Sequence, residues 1–161
     1  MNSLKIIEKA SLKLRNKIME YCPNIDSMVD LVKRTLEFLG GKLVYPNMDN
    51  YEDIIGRLYV YSENNFLVKV SPFTSPIRDN YEIMREIGRY LFFYKKEMGE
   101  KSFIGGDSNT EIIVNCFASS FLMPRKYIKK AKKQYNGSIS LIAAHFQVPT
   151  DIVKCRLESF R

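Results

Sequence analysis

Two segments decide how this chain is read: Arg85-Glu86-Ile87-Gly88-Arg89 and, after a polar loop, Glu111-Ile112-Ile113-Val114-Asn115-Cys116-Phe117-Ala118-Ser119-Ser120-Phe121-Leu122-Met123-Pro124. The first lies in a stretch from about Asp79 to Lys96 whose one breaker is Gly88. Ser75-Pro76 opens that stretch, with serine as the cap and proline in the first turn. The second follows Ser108-Asn109-Thr110-Glu111, which has capping-box spacing, and stops at Pro124. Two helices are predicted, one carrying Arg85, Glu86 and Arg89, the other carrying Glu111.

Outward from this pair, Leu4, Ile7, Leu14, Ile18 and Tyr21 recur on one face of a helix that stops before Pro23, within residues 1–22. Ser27-Met28-Val29-Asp30 opens a second helix, whose stripe of Met28, Leu31, Val32, Leu36 and Leu39 ends at Gly40-Gly41. The period then shortens. Leu43-Val44-Tyr45, Leu58-Tyr59-Val60-Tyr61 and Phe66-Leu67-Val68-Lys69-Val70 predict a small three-stranded antiparallel sheet, with a turn from Ser62 to Asn65. Gly99 to Asn109 reads as a polar loop. Arg125 to Tyr135 reads as a helix closed by Asn136-Gly137, and two short helices flank Gln147-Val148-Pro149 in a helix-turn-helix-like segment over residues 138–161. With no repeat or linker, the reading is a single α+β domain over residues 1–161.

Composition narrows the chemistry. A chain of 161 residues, 45% of them hydrophobic, can bury one core. No apolar run approaches the roughly 18 residues of a membrane span, and Met1-Asn2-Ser3-Leu4-Lys5 begins no secretory signal. A cytoplasmic protein with no membrane partner is expected. The single histidine, His145, removes most imidazole chemistry by count and is expected to be a partly buried hydrogen-bonding residue. Cys22, Cys116 and Cys155 lack metal spacing and read as buried free thiols. Met84, Phe92, Phe93 and Met123 are assigned to the core, and Tyr127 and Tyr135 to packing. The net charge of +7 is local: residues 112–150 hold Arg125, Lys126, Lys129, Lys130, Lys132 and Lys133 and none of the chain's 18 acidic residues.

The order of elements, together with Glu86, Gly88, Glu111, Asn115, Phe117, Ala118, Leu122, Met123 and Pro124, resembles the ImmA/IrrE family of metallopeptidases. Ser140 to Pro149 and Arg156-Leu157 resemble its C-terminal part, so the likeness runs from about Asp26 to Leu157. The resemblance implies a zincin-like helical domain in which two histidines four residues apart bind zinc. The glutamate between them activates water, and a glutamate from the next helix completes the ligands. Here Arg85 and Arg89 stand at the histidine positions, Glu86 is a vestigial base and Glu111 a ligand without its metal. A guanidinium has five donors, no lone pair to give and a pKa above about 12, so it repels a cation. Zinc is therefore not expected as a cofactor, and without it Glu86 has no activated water to deprotonate. Glu111, in a cleft, is expected to be matched by Arg85 or Arg89.

Three functions compete on this basis. The resemblance implies regulation in a phage or mobile element, through a protein partner such as a helix-turn-helix repressor, and the leading expectation is a pseudoenzyme that binds this partner without cutting it. A partner strand would then pair with the sheet at residues 66–70 or at a neighbouring strand. The second reading is a DNA-binding module that uses the basic residues 125–133. The third is a peptidase with an atypical metal site.

Overall fold

The computed structural model describes residues 3–45, 57–71, 73–101 and 107–160. Its helices are α1 (Ser3–Tyr21), α2 (Met28–Phe38), α3 (Pro76–Arg89), α4 (Ser108–Leu122), α5 (Arg125–Gln134), α6 (Ile139–Phe146) and α7 (Thr150–Glu158). The strands are β1 (Gly41–Val44), β2 (Leu58–Ser62), β3 (Asn65–Lys69) and β4 (Gly99–Lys101). The caps act largely as the sequence predicts. The Ser27 side chain accepts from the Asp30 N–H at 3.1 Å, and Ser75 accepts from the Arg78 N–H at 3.3 Å. At α4 the cap is one residue earlier than the Ser108 spacing predicts: Asp107 accepts from the Asn109 N–H.

The sheet differs from expectation. Among the described residues it is four-stranded and mixed, in the order β1-β3-β2-β4, with β1 parallel to β3 and the other pairs antiparallel. Three residues of the predicted loop after Gly99 supply β4; residues 102–106 of that loop lie outside the described residues. Alternate residues of β2 and β3 turn inward, placing Leu58, Val60, Phe66 and Val68 in the core against Leu31, Leu36, Met84 and Ile87. Gly40, at φ +82°, ends α2 and turns the chain directly beneath the β2–β3 hairpin tip, where a Cβ would lie 1.8 Å from the Asn64 carbonyl oxygen.

The long helix predicted to reach Lys96 instead ends its regular turns at Arg89 and widens into a π-helical turn at Tyr90–Tyr94. Tyr90 is fully buried there. Its ring stacks on Phe66 at 3.8 Å between centroids, and its hydroxyl accepts from the Asn64 N–H at 2.8 Å. Met84 and Met123 are core as expected, whereas Phe92 stands exposed at the edge of Phe117, and Tyr127 is exposed instead of packed.

Helices α1, α3 and α4 form the body beside the sheet. Arg156 of α7, 4% exposed, holds the two ends of the chain to it: Nη1 donates to Glu8 of α1 at 2.5 Å and Nε to the Met123 carbonyl at 3.2 Å. No helix among the described residues is long and apolar enough to cross a membrane.

Candidate functional site

Along α3, Glu82, Arg85, Glu86 and Arg89 fall at i, i+3, i+4 and i+7, a single helical stripe. It faces Glu111 in the first turn of α4. Two contacts let the helices approach: Gly88 sits where a Cβ would lie 3.0 Å from the Phe117 ring, and the Tyr81 hydroxyl donates to Asn115 at 3.1 Å. Burial pushes the Tyr81 phenol up to about 12, so at neutral pH it keeps the proton that it donates.

The stripe is fully cross-linked by charge. Nη2 of Arg85 donates to Glu111 Oε2, and Nη2 of Arg89 donates to Glu111 Oε1, so the carboxylate is gripped on both oxygens. Nη1 of Arg85 reaches Glu82 at 2.8 Å, and Arg57, just ahead of β2, donates to the same Glu82 oxygen at 2.8 Å. Nη1 of Arg89 reaches Glu86 Oε1 at 2.5 Å. Both arginines at the resembled histidine positions are thus engaged with Glu111, where the sequence predicted that one would suffice.

The two inner carboxyls are shifted in opposite directions. Glu86 is 1% exposed, and among the described residues its Oε2 has no hydrogen-bond partner. Burial outweighs the nearby positive charges of Arg89 and Arg85 and pushes it up to about 7. Glu111 is partly exposed. Its desolvation is small enough that the hydrogen bonds and charges of Arg89 and Arg85 together hold it below the usual carboxylate range.

The donor set does not fit zinc. The groups facing Glu111 are guanidiniums, whose N–H bonds all point outward as donors, and the carboxylate that would complete a metal site is occupied by them. Among the described residues no three His, Cys, Asp or Glu side chains gather to hold a metal ion. His145 is not part of the cluster. It is exposed on α6, instead of partly buried, with its Nδ1 3.1 Å from the Tyr135 hydroxyl. The three cysteines are free, but Cys155 is exposed and Cys22 and Cys116 are half-buried, so the expectation of buried thiols fails for Cys155.

Sequence reasoning missed Glu82 and Arg57. Glu82 was within reach, lying three residues ahead of Arg85 on the same face. Arg57 was not, because only the sheet brings it to α3.

Two further surfaces lie away from the cluster. The strand at 65–69 is interior, flanked by β1 and β2, so it offers no edge to a partner. Its neighbour β1 does, among the described residues. The Phe66 and Val70 N–H groups donate to the Gly40 and Val44 carbonyls, which turns the backbone groups of Leu43 away from the sheet. Beside β1 is a cavity of about 550 Å³ lined by Val32 and Leu36 of α2, Leu43 and Tyr45, and Asn80 and Ile83 of α3. The second surface is α5, on which Arg125, Lys126, Lys129, Lys130, Lys132 and Lys133 are all exposed while Ile128 and Ala131 are buried.

The family model Peptidase_M78, the IrrE N-terminal-like domain, matches residues 49–158. That match starts later than the likeness read from about Asp26. A comparison with the curated proteins finds no match. Among solved structures, a Mycobacterium tuberculosis transcriptional regulator is similar at a TM-score of 0.61 with 16% sequence identity. The alignment covers 98% of this chain but 47% of the regulator, so this chain spans about half of its length and the likeness is one of fold. Since the IrrE N-terminal-like model covers more than half of the chain, this protein belongs to the IrrE N-terminal-like family.

Proposed function

We propose that this protein is a cytoplasmic regulator that has given up peptidase chemistry and works by holding a protein partner, such as a helix-turn-helix repressor of a phage or mobile element. One observation carries the reading: both guanidiniums at the histidine positions are engaged with Glu111, so fixed positive charge fills the place of the cation. The ion pairs keep the central helices together where a metal would otherwise join them, and Glu86 is left facing Arg89 with no polarised water to act on. What supports the partner role is the edge of β1, open among the described residues, beside its apolar cavity, a place where an extended segment would gain backbone hydrogen bonds and pockets for alternate side chains.

Metal content tests this reading. Purified wild-type protein should carry no stoichiometric zinc. The Arg85→His/Arg89→His double variant, which rebuilds two imidazoles beside Glu111, should take up about one equivalent and lose it again on Glu111→Gln. Stoichiometric zinc in the wild type, with repressor cleavage abolished by Glu86→Gln, would instead establish the reading of an active peptidase with an atypical site.

A further inference from the structure

We infer that the exposed face of α5, joined by Lys154 of α7, is a docking surface for the phosphate backbone of duplex DNA, independent of base sequence. The argument starts from helix geometry. At 100° per residue the six cations of α5 fall within an arc of roughly 160°, opposite the buried Ile128 and Ala131. From Lys126 to Lys133 they extend about 10 Å along the axis, about three phosphate spacings of one DNA strand. Arg125 alone is anchored, 3.6 Å from Glu8. Among the described residues none of the five lysines of α5 has an ion-pair partner.

This arrangement disfavours the helix that bears it. Lys126 with Lys129 and Lys130, and Lys133 with Lys129 and Lys130, are like charges three and four residues apart, which destabilise a helix. The helix dipole does not offset this, since it disfavours Arg125 and Lys126 in the first turn as it favours Lys132 and Lys133 in the last. An ordinary solvated face would intersperse both signs. A uniform row of cations is complementary to a polyanion of regular charge spacing.

The neighbouring helix sets the limits of the surface. Lys154 lines, with Lys129 and Lys132, a cavity of about 480 Å³ between α5 and α7, and Glu158 at the same rim marks where the positive strip ends. Helix α7 itself presents a nearly neutral set to solvent: Asp151, Lys154, Cys155 and Glu158. Asp151 is held by Arg78 of α3 at 3.3 Å, which ties the start of α7 to the body of the domain. With Asp151 tied to Arg78 and a second acid at Glu158, α7 repels the duplex over much of its face, so the contact rests on α5 and is with phosphates. Exposed Tyr127 projects about 140° from the centre of the basic arc and takes no part in stacking.

Fluorescence anisotropy with a labelled mixed-sequence 20-base-pair duplex, over 50 to 200 mM NaCl, tests the assignment. With about five phosphates neutralised, the affinity should fall with salt at a log–log slope of about −4.5. In Lys129→Gln/Lys130→Gln/Lys133→Gln the slope should shrink to about −2, with affinity at 50 mM NaCl at least tenfold weaker. The melting temperature of this variant should not fall, since repulsion is being removed, so lost binding is not lost folding. A scrambled duplex should bind within twofold of the first. The proposal is overturned by absence of binding at 50 mM NaCl or by an unchanged slope in the variant. Competition by polyglutamate or by anionic lipid vesicles as effective as that by the duplex overturns it too, as does tighter binding to an RNA hairpin than to the duplex.

Discussion

Glu86 is a carboxyl group with one oxygen satisfied and the other buried alone. Its shift has a definite sign. Because its value in the folded chain, about 7, lies above the ordinary 4.5, the stabilisation it contributes is full below pH 4.5 and is lost as pH rises to about 7. Glu111 is shifted the other way and loses its contribution only as pH falls below the ordinary carboxylate range. The interval from pH 4.5 to 7 therefore belongs to Glu86. Urea unfolding across that interval should show the wild type losing on the order of 2–3 kcal/mol, while Glu86→Gln, an amide that mimics the protonated acid, stays nearly flat. Parallel curves for the two proteins would mean that Glu86 is not protonated on folding. The pairing of Glu111 was legible in the sequence because Arg85 and Arg89 share a helical face by spacing alone. The lone oxygen of Glu86 was not, since it depends on how closely two helices and a sheet exclude water.

At the scale of elements, the helices were legible and the sheet was only partly so. Apolar stripes and caps locate α1 to α4, but the alternation within β1 is the same whether its neighbour runs parallel or antiparallel. Three residues at Gly99–Lys101 carry too little pattern to announce a strand. The π-helical turn was hidden because its cause is tertiary: Tyr90 reaches both Phe66 and the hairpin tip. The turn at Gly40 makes the same point as a test. Gly40 and Gly137 both have positive φ, +82° and +75°, but a Cβ at Gly40 meets the Asn64 carbonyl whereas one at Gly137 meets nothing within 4 Å. Gly137→Ala should cost about 1 kcal/mol, the backbone penalty alone. Gly40→Ala should cost at least about 2 kcal/mol more, read as the difference in urea midpoint, because β1 and the hairpin must separate to admit the methyl. Equal losses would show that the hairpin tip yields freely.

Over the whole molecule, the feature least legible in the sequence is the contact between Glu8 and Arg156, 148 residues apart. Arg156 stands out in the sequence only through the likeness of Arg156-Leu157 to the family's C-terminal part, Glu8 not at all, and no local pattern marks a buried arginine or names its partner. Arg156→Met should destabilise the protein by about 2 kcal/mol, because the Met123 carbonyl loses its donor and Glu8, 22% exposed, is left with Arg125 alone. Adding Glu8→Gln should restore part of that loss, and a strictly additive double variant would show that the two side chains act independently. The same contact orders events during synthesis. Glu8 of α1 is made 148 residues ahead of the arginine that fastens it, so α1 must wait through the synthesis of the sheet and of the helices between them before this ion pair can lock it. A nascent chain stalled a few codons before Arg156 should consequently leave α1 open to protease long after the sheet has become resistant.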